Sequence, residues 1–395
     1  MALFLFALLA LSLSAATVPT AQYNNARTGA NSEETILNPR NVAPATFGRV
    51  LTIPLDGDVF AQPLYVGGTV YAATEHNTVY AIDPATGVFR WHRNFGAPVP
   101  ERVTEEIDPA NGAEKPGSPV LIRATSREAS FHSVREDQRA PLLLDRGTVY
   151  IAWASSCDVH PYYGWVLGYD ARTLKPTGIF NAAPDSGESG IWQSDGGIAA
   201  DENGNVYAVT GNGKFTAAKG GLDYGDSVLR LRFGSGPNPV QDYFTPCNQS
   251  ELNGRDDDLG AGGPVLLPDH LIVVEGKSGV LYLIDRRRMG GFHAGSDNVV
   301  QSVLRDFTFA NGKLSAAPAH SGSLKSGPGE SSVVSANGAK DGIVWVVFTK
   351  AWNERTGEAT LHAFDDANIG RMLFSADAGP AVRLTMPTVA DGTKK

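Results

Sequence analysis

Cysteine is nearly absent from this chain. Its 395 residues hold two, Cys157 and Cys247, and neither stands in a C-x-x-C or C-x-x-C-H setting. That excludes zinc ribbons, thioredoxin-like redox pairs and c-type haem attachment, which all need closely spaced thiols. What is left is one disulfide between Cys157 and Cys247 in an oxidising compartment, or two unpaired thiols. Basic runs are scarce too. Arg286-Arg287-Arg288 is the only dense one and reads as a solvated loop. With a net charge of -9 and a pI near 5.4, no nucleic-acid partner is expected, since a grip on phosphates needs basic surface. Gly-x-Ser-x-Gly, His-x-His and His-Glu-x-x-His are missing, which removes the nucleophile elbow and the zincin pattern. Glu275-Gly276-Lys277-Ser278 ends like a P-loop, but the glycine required at 271 is Leu271.

Long apolar runs are confined to the start. Leu3–Leu13 is almost wholly apolar and is followed by Ser14-Ala15-Ala16. This reads as a leader of residues 1–16 with a small-residue cleavage site, although no Lys or Arg precedes it. The run is too short for a spanning helix, which takes roughly 20 residues. A secreted or periplasmic protein, with no membrane span once the leader is removed, is expected. Residues 17–46 then form an extended segment.

Glycine is plentiful, 44 residues, and proline reaches 24, without a collagen-like period. No stretch carries a long 3.6-residue periodicity. Short apolar or alternating runs bounded by Gly, Asn, Asp and Pro indicate strands instead. A unit recurs. First strands follow glycine or polar leads, as in Gln62-Pro63-Leu64-Tyr65-Val66 and Gly262-Gly263-Pro264-Val265. Second strands follow Gly-x-Val-Tyr, at Gly68–Tyr71, Gly147–Tyr150 and Gly204–Tyr207. Third strands end in aspartate, at Asp83, Asp170, Asp285 and Asp365. Units of roughly 45 residues with three or four strands favour propeller blades over a linear solenoid. The expected fold is therefore all-β, a β-propeller of about seven four-stranded blades over residues 47–395.

Within Ala81-Ile82-Asp83-Pro84-Ala85-Thr86-Gly87-Val88-Phe89-Arg90-Trp91 the spacing Ala-x-Asp-x-x-Thr-Gly-x-x-x-Trp resembles the docking repeat of pyrroloquinoline-quinone (PQQ) propellers. Gly168-Tyr169-Asp170-Ala171-Arg172-Thr173 matches it in part. In the turn, Asp83 is placed to accept backbone N–H groups, Gly87 to take a left-handed conformation, and Trp91 to cover a neighbouring blade. The resemblance implies seven or eight complete blades. Here blades are cut short near 97–125, 303–327 and 385–395, while Phe47–Pro54 is available as a closing outer strand. Quinoprotein dehydrogenases also hold PQQ and Ca²⁺, stack a tryptophan beneath the quinone, use a carboxylate base and often carry two adjacent cysteines. This chain has no adjacent cysteines, and no catalytic, cofactor-binding or metal-ligating residue can be mapped onto it.

Ligand-binding candidates therefore come from propeller geometry, which gathers the leads of the first strands at one channel mouth. They are Gln62, Gln138, Arg139, Trp192, Gln193, Asp195, Asp258 and Glu330. Trp192-Gln193-Ser194-Asp195 is the most suggestive, with an aromatic face beside an amide and a carboxylate. Its alternative is packing between blades. Asp223–Asp226 and Asp256-Asp257-Asp258 read as solvated turns, Asp201–Asn205 as a hairpin turn, His132 and His160 as polar surface, and Asp158–Trp165 as a packed loop. The leading functional reading is a non-catalytic binding or assembly module for a protein or carbohydrate. The alternative is a PQQ- and calcium-dependent oxidoreductase acting on alcohols or sugars; a degenerate copy without function is the third.

Overall fold

The computed structural model describes residues 17–96, 103–104, 110–114, 117–193, 196–234, 236, 238–292, 305–307, 309–310, 313–315, 317–321, 332–349 and 357–381. Residues 1–16, expected as a leader, residues 385–395, Asp195 and Glu330 lie outside them. Five antiparallel meanders follow one another along the chain. The first comprises Leu64–Val66, Thr69–Ala73, Thr78–Ile82 and Phe89–Asn94. The second runs through Leu143–Asp145, Thr148–Ser155, Trp165–Asp170 and Pro176–Asn181. The third comprises Ala199–Ala200, Val206–Val209, Val228–Leu231 and Val240–Thr245. The fourth has three strands, Val265–Leu267, Leu271–Glu275 and Leu281–Asp285. The fifth comprises Ser332–Asn337, Lys340–Thr349, Gly357–Asp365 and Asn368–Ala381. Where blades were expected to be cut short, the described residues form only two-residue pairs, such as Val103–Thr104 with Val120–Leu121 and Phe309–Ala310 with Lys313–Leu314.

Packing explains the continuously apolar strands. In Val206–Val209, Val206 and Ala208 join a core with Leu143, Tyr150, Val166 and Phe180 of the second sheet. Tyr207 and Val209 point the other way, into a core with Leu266, Ile272 and Val274 of the fourth sheet. A strand buried on both faces has no polar side to alternate with, so its period-2 signal disappears. Each fully buried aliphatic side chain contributes about 1.5–3 kcal/mol. Neighbouring sheets thus stack face to face, as blades do.

The leads of the first strands carry glycine for a steric reason. A Cβ on Gly196 would strike the Cα of Gly263, and one on Gly263 the Cα of Gly196. The leads of the third and fourth sheets therefore touch backbone to backbone. The aspartate turns form as the pattern predicts. Asp83 Oδ1 accepts the N–H groups of Ala85 at 3.0 Å and Thr86 at 3.1 Å, and Gly87 has φ 73°. Asp170 repeats this with Arg172 and Thr173, although Leu174 holds the left-handed position there, at φ 55°. Trp91 lies against Gly112, where a Cβ would strike its ring, so the tryptophan covers the turn of the shortened second unit.

Residues 47–54 form no strand. Instead Phe47 packs on Trp345 and Phe374 of the fifth sheet, with ring centroids 5.3 and 5.0 Å away. Residues 17–46 are laid against the first strands of the sheets, and Ala30–Asn31 pairs in parallel with Ser332–Asn337. Cys157 is exposed and Cys247 is half-buried, with no bond between them in this structure. Among the described residues no helix is long and apolar enough to cross a membrane.

Candidate functional site

The most concentrated polar chemistry lies between the third and fourth sheets. Three chain reversals build it. Thr210–Gly213 leaves the strand Val206–Val209. The helix Gln249–Arg255 ends on Asp256 in the left-handed region, φ 59° and ψ 35°, which turns the chain back and brings Asp258 inward. Gly276-Lys277 opens the hairpin turn after Leu271–Glu275, and the Lys277 N–H donates to the Asp258 carbonyl at 3.0 Å.

Asp258 is buried. Its Oδ1 accepts the Asn212 backbone N–H at 2.7 Å and its Oδ2 lies 2.5 Å from Lys277 Nζ. The ammonium also donates to the Asp256 carbonyl at 3.0 Å and approaches Asp256 Oδ2 at 3.3 Å. All three of its protons are thereby engaged. Burial alone would lower the Lys277 pKa; the bond to Asp258 and the charges of Asp258 and Asp256 outweigh it and hold the ammonium above its usual value. Behind this pair Asp226 is wholly buried, accepting from the Leu259 N–H at 3.2 Å and from Gln249 Nε2 at 3.3 Å. Burial pushes its carboxyl up to about 7.

Trp192 reaches the same place. A Cβ on Gly211 would collide with Asp258 Oδ1 and Trp192 Nε1, so glycine is what lets the loop slip between them. The Arg139 guanidinium lies 5.3 Å from the Trp192 ring centroid, and Tyr162 meets the indole edge-on at 6.3 Å. Three buried polar atoms here have no hydrogen-bond partner among the described residues: Trp192 Nε1, Asn212 Oδ1 and Ser189 Oγ. They border three consecutive residues, Gly211–Gly213. The Ser189 N–H donates to the Asn212 carbonyl at 2.6 Å, and a Cβ on Gly213 would strike Ser189 Oγ. One donor, one acceptor and one hydroxyl are thus left over in a buried place, where each costs about 1–3 kcal/mol unless something satisfies it.

Of the residues singled out in the sequence, Arg139, Trp192 and Asp258 come together. Gln193 is adjacent but fully spent: its Oε1 accepts the Val209 N–H and its Nε2 donates to the Gly197 carbonyl, both at 3.1 Å. Gln138 donates to the Ala140 carbonyl at 2.5 Å, a purely local bond. Gln62 accepts the Gln22 N–H at 3.2 Å, against the N-terminal segment, with no bond to this cluster. Two readings need correction. Asp256-Asp257-Asp258 and Asp223–Asp226 are not simply solvated turns, because Asp258, Asp223 and Asp226 are buried while Asp256 stays exposed. Arg286 is buried against Tyr207 and 3.7 Å from Asp201, so only its neighbours in the basic run are solvated. The Asp201–Asn205 hairpin turn forms, with Asn203 and Asn205 N–H groups both 2.9 Å from Asp201 Oδ1. Asn212, Ser189 and Lys277 were missed; Lys277 was visible only as a failed P-loop.

Residues 43–105 match the family model described as outer membrane protein assembly factor BamB. Three solved structures resemble the whole fold. The quinohaemoprotein alcohol dehydrogenase from Comamonas testosteroni superposes with a TM-score of 0.57 at 16% identity, covering 92% of this chain and 73% of that one. The quinohaemoprotein alcohol dehydrogenase ADHIIG from Pseudomonas putida HK5 gives 0.58 at 14% identity, with 92% and 72% covered. The chain is an all-β propeller, and residues 43–105 of it match a PQQ-type repeat. A europium-containing methanol dehydrogenase gives 0.57 at 12% identity, covering 92% and 78%. No curated protein matches the sequence. At these identities the likeness to solved structures concerns the fold alone.

Calcium, which such a fold brings to mind, takes six to eight oxygens. Among the described residues no three carboxylate, histidine or cysteine side chains gather as a metal group. Of the buried carboxylates here, Asp258 already holds an ammonium and a backbone N–H, and Asp226 a backbone N–H and the Gln249 amide. These residues do not make a calcium cage.

Proposed function

We propose that this chain is a secreted or periplasmic PQQ-repeat propeller of about seven blades, some incomplete, that binds a small hydroxylated ligand of the carbohydrate class. The observation that carries the reading is the trio of unsatisfied buried atoms, Trp192 Nε1, Asn212 Oδ1 and Ser189 Oγ, beside an indole face. Asp258 and Lys277 satisfy one another, so the three unsatisfied atoms are neutral, with the Arg139 guanidinium over the Trp192 ring beside them. A sugar hydroxyl both donates and accepts, which suits an N–H, a carbonyl oxygen and a hydroxyl bordering one loop, Gly211–Gly213. Titration calorimetry against a panel of neutral sugars and polyols tests this. A ligand whose affinity falls at least tenfold in Asn212→Ala and Trp192→Phe is expected. A panel that gives no binding, or binding indifferent to both substitutions, overturns the reading.

A second reading, an oxidoreductase of alcohols or sugars, is favoured by the fold likeness to two alcohol dehydrogenases and by a buried carboxylate, Asp258, at the same place. Adding PQQ and Ca²⁺ and following dye reduction with the same panel separates it from the first. Turnover abolished by Asp258→Asn supports it; no PQQ binding by absorbance removes it.

A further inference from the structure

We propose that residues 18–31 are a central clasp that closes the ring of sheets from the inside, with the Arg27 guanidinium as its hub. The segment meets the first strand of every sheet, in the order of the sheets along the chain. Val18 exchanges backbone bonds with Tyr65 of the first sheet at 2.7 and 3.0 Å. Asn25 Nδ2 donates to the Leu144 carbonyl of the second at 2.8 Å. The Asn25 carbonyl accepts the Ala200 N–H of the third at 2.8 Å, and the Ala26 carbonyl the Leu266 N–H of the fourth at 2.9 Å. The Gly29 carbonyl accepts the Val334 N–H of the fifth at 2.6 Å, where Ala30–Asn31 adds a parallel strand.

Reach makes this informative. From Asn25 to Gly29 an extended chain spans at most about 14 Å. Four sheets are touched within that length, so their first strands converge on one axis and the segment lies across it. The first and fifth sheets, far apart in sequence, are held by the same short stretch. That supplies a closure which the residues 47–54 do not provide as a strand.

Arg27 fixes the clasp. Its side chain is 1% exposed, with Nε donating to the Ile198 carbonyl and Nη1 to Thr20 Oγ1 and the Ala21 carbonyl, each at 2.8 Å. Nη2 donates to the Leu142 carbonyl at 3.0 Å. All four acceptors are neutral, so the guanidinium serves as a planar fork joining the segment to the second and third sheets at once. The fork donates in three directions at once, which lets one side chain reach carbonyls on separate sheets. Burial drops its pKa to about 10, and the charge persists at neutral pH.

Hydrogen exchange on the full chain, read strand by strand, tests the clasp. Arg27→Leu is expected to cost at least tenfold in protection at the first strands of all five sheets, around Tyr65, Leu144, Ala200, Leu266 and Val334. Arg286→Leu, another buried arginine but tied to the third and fourth sheets, is expected to lose protection there alone. If Arg27→Leu does not fold, Arg27→Lys and Asn25→Ala are read in the same way, with smaller losses spread over the same five strands. Loss confined to the strands beside Leu142 and Ile198 in these variants would overturn the clasp and leave Arg27 a local core residue.

Discussion

In the first sheet carboxylates work at the surface. Asp83 bonds Arg90 at 3.0 Å and two turn N–H groups, while Val66, Val88 and Phe89 stand exposed. Between the third and fourth sheets the arrangement is reversed: Asp226 and Asp258 are buried, glycine loops run through the gap, and polar atoms are left unsatisfied. The first sheet carries the cleanest repeat, and its residues are spent on turn and docking. The junction has lost the repeat's spacing and gathered the chemistry. A repeat signature therefore reports how blades are joined; the functional candidate is found where the signature fails.

Breaking the buried pair should give the largest difference between the regions. Asp258→Ala removes the acceptor of the Asn212 N–H and the nearest carboxylate of Lys277, whose ammonium stays partly in water and on Asp256, and is expected to cost about 1–3 kcal/mol by urea denaturation. A cost below about 1 kcal/mol would show the pair to be solvated in practice.

Acid should separate the regions by sign. Hydrogen bonds from Thr74 and Thr78 hold Asp56 below its ordinary pKa, and the Arg90 and turn bonds do the same for Asp83. Stability from such groups is present above about pH 4 and is lost as pH falls below it. For Asp226, raised to about 7 by burial, the folded state prefers the protonated form. Its contribution is greatest below about pH 4 and declines as pH rises towards 7. Glu136, wholly buried in the second sheet's flank and raised by burial to about 7, adds to the same decline. Exchange protection, corrected for intrinsic rates, should fall with acid in the first sheet and rise with acid around Val209 and Val228. The same trend in both regions would erase the contrast.

Smaller effects belong to the repeat itself. Trp91→Ala should cost about 2 kcal/mol, because the side chain is half-buried, lying against Gly112 and Tyr71. Limited proteolysis should then cut first near 110–114. Asp83→Ala should leave the thermal midpoint almost unchanged, since its bonds are exposed to water.

What was legible in the sequence was local. The aspartate turns at Asp83, Asp170, Asp285 and Asp365, the strand pairs leading to them and the glycine leads could be read because each is settled within a few residues. The junction could not, because Trp192, Asn212, Asp258 and Lys277 meet only after two sheets have stacked. Three consecutive aspartates look alike in sequence, and nothing there says that Asp258 turns inward while Asp256 faces water. The segment 18–31 was equally silent: most of its bonds run through backbone groups, which leave no side-chain pattern, and the rest through the side chains of Asn25 and Arg27.

Ser189→Ala bears most directly on the claim that the junction is a binding site rather than a piece of core. Removing a buried hydroxyl without a partner should raise the thermal midpoint, by about 1 kcal/mol in stability, while weakening the sugar-class ligand found by calorimetry at least tenfold. A lowered midpoint with unchanged ligand affinity would contradict the account and make the Ser189 hydroxyl part of the scaffold.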